Sequence, residues 1–185
     1  MIDLVDAPAW QQHVRAYLNA MISCGVLPGL DRWHNSPPAS YDSLLPAGMH
    51  LRTRPALRHA AVESFPGSET RAMLWAAASR ILGVLERLAL TEEVWVGGSF
   101  LTSKRDPADL DLVIVASTER ALTVHGLEAV ELEDALDEAK GQHLDIALVL
   151  DTDAILKATL QGWLAFDPDR RTPRGIAVLR PGTGR

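Results

Sequence analysis

The sequence predicts an α+β fold: a small mixed β-sheet with helices packed on it, preceded by an N-terminal helical segment. Two observations carry this reading. Short apolar, β-branched runs stand at Val94–Val96, Asp109–Val115 and His143–Leu150, the composition and length of strands. Between and before them lie longer stretches with apolar residues at helical spacing, notably Glu69–Ala89 and Gly126–Lys140. The chain has 185 residues, 47% of them apolar, enough for one ordinary core. The expected division is an N-terminal helix and long connection over 1–50, then the sheet domain over 51–185.

Taken in order, Pro8–Cys24 reads as a first helix, with Trp10, Val14, Tyr17, Leu18 and Met21 as its apolar stripe and Gly25 at its end. Val26–Gly48 is rich in Pro, Gly and Ser and reads as a long connection. His34 and His50 have no ligand partner at metal-site spacing and read as non-catalytic. Thr53–Ser64 reads as a short helix with Arg52, Arg54 and Arg58 near its start. Such a cluster is a solvated face or a phosphate-contacting patch, the first being favoured. Ser68 suits the N-cap of Glu69–Ala89, whose stripe is Leu74, Ala77, Ala78, Ile81, Leu85 and Leu88. The Gly126–Lys140 helix is expected to face inward with Leu127, Val130, Leu136 and Ala139, and Gly141 fits its C′ position. Asp153 can cap a helix running to Phe166. Asp167–Pro173 reads as a turn-rich linker, and Gly175–Leu179 as a last short strand.

Charge narrows the function. Eighteen basic and 24 acidic residues give a net charge of −6, which argues against a general nucleic-acid binder. The acidity is concentrated: Ser117–Asp153 holds ten acids against Arg120 and Lys140, whereas Phe166–Arg185 holds five arginines against two aspartates. The acidic run reads as a solvated helix face, the basic tail as solubilising or as steering a phosphate-bearing substrate. One cysteine, Cys24, excludes an internal disulfide. The acidic start is no signal peptide and no run of about 18 apolar residues exists, so a cytoplasmic enzyme is expected.

The chemistry is concentrated in Val94–Ala116, VWVGGSFLTSKRDPADLDLVIVA. Residues i and i+2 of a strand face the same way. Asp109 and Asp111 therefore share a face, with Cα atoms roughly 6.6 Å apart. The run Val113-Ile114-Val115 is apolar on both faces, so the acidic end sits at the rim of the core. Two carboxylates at a rim suit Mg²⁺, which takes oxygen ligands and shares substrate phosphates. Gly97-Gly98-Ser99 is the complementary half, an anion site of uncovered N–H groups and a hydroxyl. Lys104 and Arg105 add positive charge nearby. A P-loop is excluded, because Ser103 precedes Lys104, Arg105 follows it, and Pro107 stops a helix.

This stretch resembles the polymerase-beta-type nucleotidyltransferase superfamily, and the chain looks most like a prokaryotic family within it. The resemblance rests on Gly98-Ser99, a nine-residue spacer, Asp109-Leu110-Asp111, and Leu144-Asp145-Ile146 opening a later apolar strand. Leu45-Pro46-Ala47-Gly48 and Arg174-Gly175-Ile176 extend it over Leu45–Leu179. It implies a nucleotidyltransferase-type sheet and transfer of a nucleoside monophosphate from an NTP to an acceptor hydroxyl, releasing pyrophosphate. Asp109, Asp111 and Asp145 would be the catalytic metal ligands for two Mg²⁺ ions, or Mn²⁺. Gly98 and Ser99 would hold the nucleotide phosphates. A phosphate-neutralising role for Lys104 is inferred from its position, since the superfamily fixes no lysine there. By analogy the acceptor is an RNA or a protein. The alternative is a non-catalytic nucleotide sensor or toxin–antitoxin-type interaction module on the same fold.

Overall fold

The computed structural model describes residues 41–165 and 172–181. The expected helix over Pro8–Cys24, Cys24, His34, most of the connection and most of the 167–173 linker lie outside the described residues.

Five strands form one mixed sheet: β1 (Gly48–Leu51), β2 (Thr91–Gly97), β3 (Leu110–Ala116), β4 (Leu144–Leu150) and β5 (Gly175–Leu179). Their order across the sheet is β1-β5-β2-β3-β4. β1 runs parallel to β5 and β3 parallel to β4, whereas β2 is antiparallel to both β3 and β5. The helices are α1 (Arg54–Arg58, widening into a π-type turn over His59–Glu63), α2 (Glu69–Arg87), α3 (Thr118–Ala121), α4 (Leu127–Gly141) and α5 (Ala154–Ala165).

Strand alternation explains the layering. Leu110, Leu112, Ile114 and Ala116 of β3, with Leu144, Ile146 and Leu148 of β4, join the main core beneath α2 and α4. Val113, Val115, Ala147 and Val149 face the other way, against Leu156, Leu160 and Leu164 of α5. The α2 stripe from Leu74 to Leu88 is buried as its spacing requires. Ser68 caps α2 by accepting from the Arg71 N–H at 3.2 Å, and Asp153 caps α5 by accepting from the Leu156 N–H at 2.9 Å.

The structure departs from expectation on α4. Leu127 and Val130 are exposed, while the buried residues are Leu132 and Ala139, flanked by Ala129, Ala135 and Leu136. Positions 132, 135, 136 and 139 follow i, i+3, i+4, i+7, so the buried stripe alternates leucine with alanine. The helix ends without a left-handed Gly141; His143 takes positive φ (62°) instead. β4 accordingly starts at Leu144, and exposed His143 does not extend the Asp145 face. The acidic face of α4 is partly paired: Glu138 meets Arg80 at 3.1 Å, Glu131 meets Arg87, and Glu128 meets Arg120 at 2.7 Å. Such exposed pairs each contribute at most about 1 kcal/mol.

β1 was not expected, because four residues after a Pro- and Gly-rich connection carry little strand signal. Its place depends on Gly175, where an added Cβ would stand 2.4 Å from the Pro46 carbonyl oxygen and 2.5 Å from the Leu45 Cβ. Neither neighbour is a flexible side-chain end. Gly175→Ala is therefore expected to lower stability by about 1–3 kcal/mol, read as a lower urea midpoint at unchanged slope. An unchanged midpoint would mean the 45–46 segment yields freely.

Candidate functional site

The chain places its acids in one row at one edge of the sheet. In the parallel pairing Asp111 lies opposite Asp145, and in the antiparallel pairing Gly97 lies opposite Asp111. Neighbouring strands stand about 4.8 Å apart, so two carboxylates from remote parts of the chain become lateral neighbours. Both lie on the α5 side, opposite to Leu110, Leu112, Leu144 and Ile146. Asp109 precedes β3 by one residue and is half-buried, as is Asp145. Asp111 is buried.

The electrostatics bear out that proximity. Burial pushes the Asp111 carboxyl up to about 8, with Asp109 and Asp145 adding to the rise and Arg174 opposing it. A carboxylate withdrawn from water beside two like charges is costly to ionise without a cation. The donors are all oxygens, and a hard divalent ion would offset the cost of ionising Asp111 beside Asp109 and Asp145. Among the described residues, however, no three His, Cys, Asp or Glu side chains are drawn together closely enough to hold a metal as they stand. The donor chemistry fits Mg²⁺, which keeps several of its own waters and needs few protein ligands.

The Gly97-Gly98-Ser99 bend closes against the acids. Gly98 has φ +66°, and a Cβ there would stand 1.5 Å from Asp111 Oδ2. No other residue type leaves space for that carboxylate. Gly97 is also close-packed, though less severely, on the α5 side, where a Cβ would meet Leu164 Cδ2 at 2.7 Å. Residues Gly98–Leu101 then form a short 3₁₀ turn. Ser99 Oγ reaches Asp109 Oδ1 at 3.5 Å, a long contact that links the bend to the acid row.

Lys104 is half-buried on the following loop. Among the described residues no ion pair joins it to the three aspartates, so of the six expected site residues it alone has no direct tie to the acid row. Arg54 and Arg58 are engaged in ion pairs elsewhere, and Arg52 Nη1 donates to the Leu51 carbonyl at 3.1 Å. Arg54 pairs with Glu86 at 2.8 Å and Arg58 with Glu63 at 3.3 Å. Arg54 also lines a cleft with Thr91 and Leu179, at the end of β2 remote from Gly97. His50 Nε2 lies 2.8 Å from the Pro46 carbonyl, a local structural contact.

One residue at the site carried no assigned role in the sequence. Arg174, buried just ahead of β5, shares the parity of Ile176 and Val178 and so the α5 side. It is the cation that offsets Asp111. The signal for it was an arginine two residues before an apolar strand residue, which alternation turns inward.

A mixed five-stranded sheet, helices on both faces and a row of acids beside a glycine-serine bend define an α+β protein with a charged rim site. The chain belongs to DUF6932, a family of unknown function, whose family model matches residues 37–180. That span holds every residue of the acid row and the bend. No curated protein and no solved structure matches the chain. Among the described residues no helix is long and apolar enough to cross a membrane.

Proposed function

We propose that the acid row and the glycine-serine bend form a metal-dependent nucleotidyltransferase site, acting on a nucleoside triphosphate and an acceptor hydroxyl, with RNA or protein the favoured acceptor. The observation that carries this is the convergence of Asp109, Asp111 and Asp145 beside Gly98, whose missing Cβ makes room for the Asp111 carboxylate. Asp109, Asp111 and Asp145 would hold Mg²⁺. A bound ion would supply charge neutralisation for nucleotidyl transfer, in which the acceptor hydroxyl oxygen bonds the α-phosphorus as the bond to the departing pyrophosphate breaks.

The chain's own residues have distinct tasks. Gly98, buried against the Asp111 carboxylate, shapes the phosphate-side bend, and the half-buried Ser99 hydroxyl donates to phosphate oxygens. Arg174 offsets the Asp111 charge and limits the repulsion among the acids. Lys104, on the adjoining loop, supplies positive charge toward the outer phosphates. Leu164 and the α5 face exclude water from the inner side of the site, which strengthens each charge interaction there.

A second reading has its own support. The resident Arg174 charge beside Asp111 suits a nucleotide sensor on the same fold that binds without turnover. Incubation with each labelled nucleoside triphosphate, Mg²⁺ and cell extract separates the two. The proposal expects label on a macromolecule together with pyrophosphate release, both absent without Mg²⁺. Retained binding with no label and no pyrophosphate would leave the sensor. No binding of any nucleotide would remove both.

A further inference from the structure

Arg71 is fully buried, yet it carries a charge. It projects from the first turn of α2, on the same stripe as Leu74, Ala78 and Ile81. Its guanidinium donates to five backbone carbonyls. Nε bonds Arg105 O at 3.0 Å, Nη1 bonds Ala61 O at 2.6 Å and Phe100 O at 2.8 Å, and Nη2 bonds Thr102 O at 2.7 Å and Lys104 O at 2.6 Å. The whole donor fork is used, which is a geometry only arginine offers. The cation lies 3.7 Å from the centroid of the Phe65 ring and 5.2 Å from that of Phe100, and Phe100 stacks in turn on Trp75. Burial pushes Arg71 down to about 10, with Asp106 opposing, so it remains charged at neutral pH.

Four of those carbonyls belong to one loop, residues 98–106, which joins the glycine-serine bend to the first acid. That loop has no regular structure beyond its opening turn. Its other ties are lateral. The Ser103 N–H donates to Asp42 O at 2.8 Å, and the Leu44 N–H donates to Leu101 O at 2.8 Å. Ser68 Oγ donates to Asp106 Oδ1 at 2.8 Å. A loop of this kind would otherwise leave inward carbonyls unsatisfied, at a cost of about 1–3 kcal/mol each.

We propose that Arg71 is the positioning residue of the phosphate-side loop: it fixes residues 99–106 from beneath, so that Ser99, Lys104 and Asp109 stand in register with Asp111 and Asp145. Its functional half rests on the nucleotide reading above; its structural half does not. A lysine at 71 keeps the charge but cannot reach five carbonyls with one ammonium. Loop order, rather than charge, is then what the site loses.

The test is amide hydrogen exchange and nucleotide titration on the full chain carrying Arg71→Lys, with Phe65→Leu as a milder second variant that keeps an apolar side chain but removes the ring over the guanidinium. The Thr102, Ser103 and Lys104 amides are the probes, since they donate to Ser99 O, Asp42 O and Thr102 Oγ1 in the native loop. In Arg71→Lys these should exchange at least about tenfold faster while β3 and β4 amides keep their protection, the pattern of a local opening. Affinity for Mg²⁺ with a non-hydrolysable nucleoside triphosphate should fall about 10- to 100-fold. Phe65→Leu should show the same pattern to a smaller degree, and it decides the matter if Arg71→Lys does not fold. Unchanged loop exchange, or acceleration spread evenly over the sheet, would overturn the proposal. If the wild-type protein binds no Mg²⁺–nucleotide, the functional reading fails while the exchange result still decides the role of Arg71 in the loop.

Discussion

Replacing Asp111 with asparagine should remove metal-dependent turnover and, at the same time, stabilise the metal-free protein at pH 8. The first effect follows from losing the innermost carboxylate of the acid row. Loss of one preorganised charge at a reacting phosphate costs about 10²–10³-fold in rate or more, and the Asp109→Asn, Asp111→Asn pair should release no pyrophosphate. The second effect follows from burial. The fold raises the Asp111 carboxyl from its ordinary 3.8 to about 8, so the folded state favours the protonated form. That contribution is complete below about pH 4, is lost as pH climbs, and is gone above about pH 8. Asparagine has no proton to lose and escapes the decline. Each tenfold change in proton affinity is worth about 1.4 kcal/mol. The variant should therefore gain on the order of a few kcal/mol at pH 8, some 5–10 °C in melting temperature for a chain of this size. The gap should close near pH 4. Thermal melts of the two proteins from pH 4 to 9, without metal, are the check. Parallel curves would show that Asp111 is solvated and ionised throughout.

Gly98→Ala should be among the most damaging single methyl additions in the protein. The left-handed backbone alone costs about 1–2 kcal/mol for a non-glycine residue. The new Cβ would also stand 1.5 Å from Asp111 Oδ2 and 2.6 Å from its Cγ, which adds overpacking of about 1–3 kcal/mol. The two parts can be separated. Asp111→Ala removes both atoms and leaves only the residue-111 Cβ, at 3.2 Å. Gly98→Ala should therefore cost less in the Asp111→Ala background, with a coupling of about 1–3 kcal/mol from a double-mutant cycle in urea. Strict additivity would mean that bend and acid do not press on one another.

The row of acids was readable because strand periodicity is rigid. Asp111 must share a face with Val113, Gly97-Gly98 must mark a break, and Asp145 opens an apolar run of the same kind, whereas Asp109, expected inside the strand, lies one residue before β3 and outside that periodicity. What the sequence did not state is which strands become neighbours; the opposition of Asp111 and Asp145 is a matter of register between segments 34 residues apart. β1 was illegible for the same reason, since β5, with which it pairs, lies at the far end of the chain. On α4 the large residues misled: Leu127 and Val130 suggest an inward face, but the packed stripe runs through Leu132, Ala135, Leu136 and Ala139. Arg71 was missed although its position gave it away, an arginine on the apolar stripe of α2. Charge is ordinarily a surface signal, and nothing local announces five carbonyls waiting beneath a loop.

The most direct measurement is Mn²⁺ binding followed by electron paramagnetic resonance, with and without a non-hydrolysable nucleoside triphosphate. The wild-type protein should bind Mn²⁺ weakly alone and at least about tenfold more tightly with nucleotide, because phosphate oxygens complete the coordination that the carboxylates begin. The Asp109→Asn, Asp111→Asn protein should retain its fold and lose the nucleotide-dependent gain. Equal Mn²⁺ binding by the two proteins, in the presence of nucleotide, would contradict a metal site at the acid row.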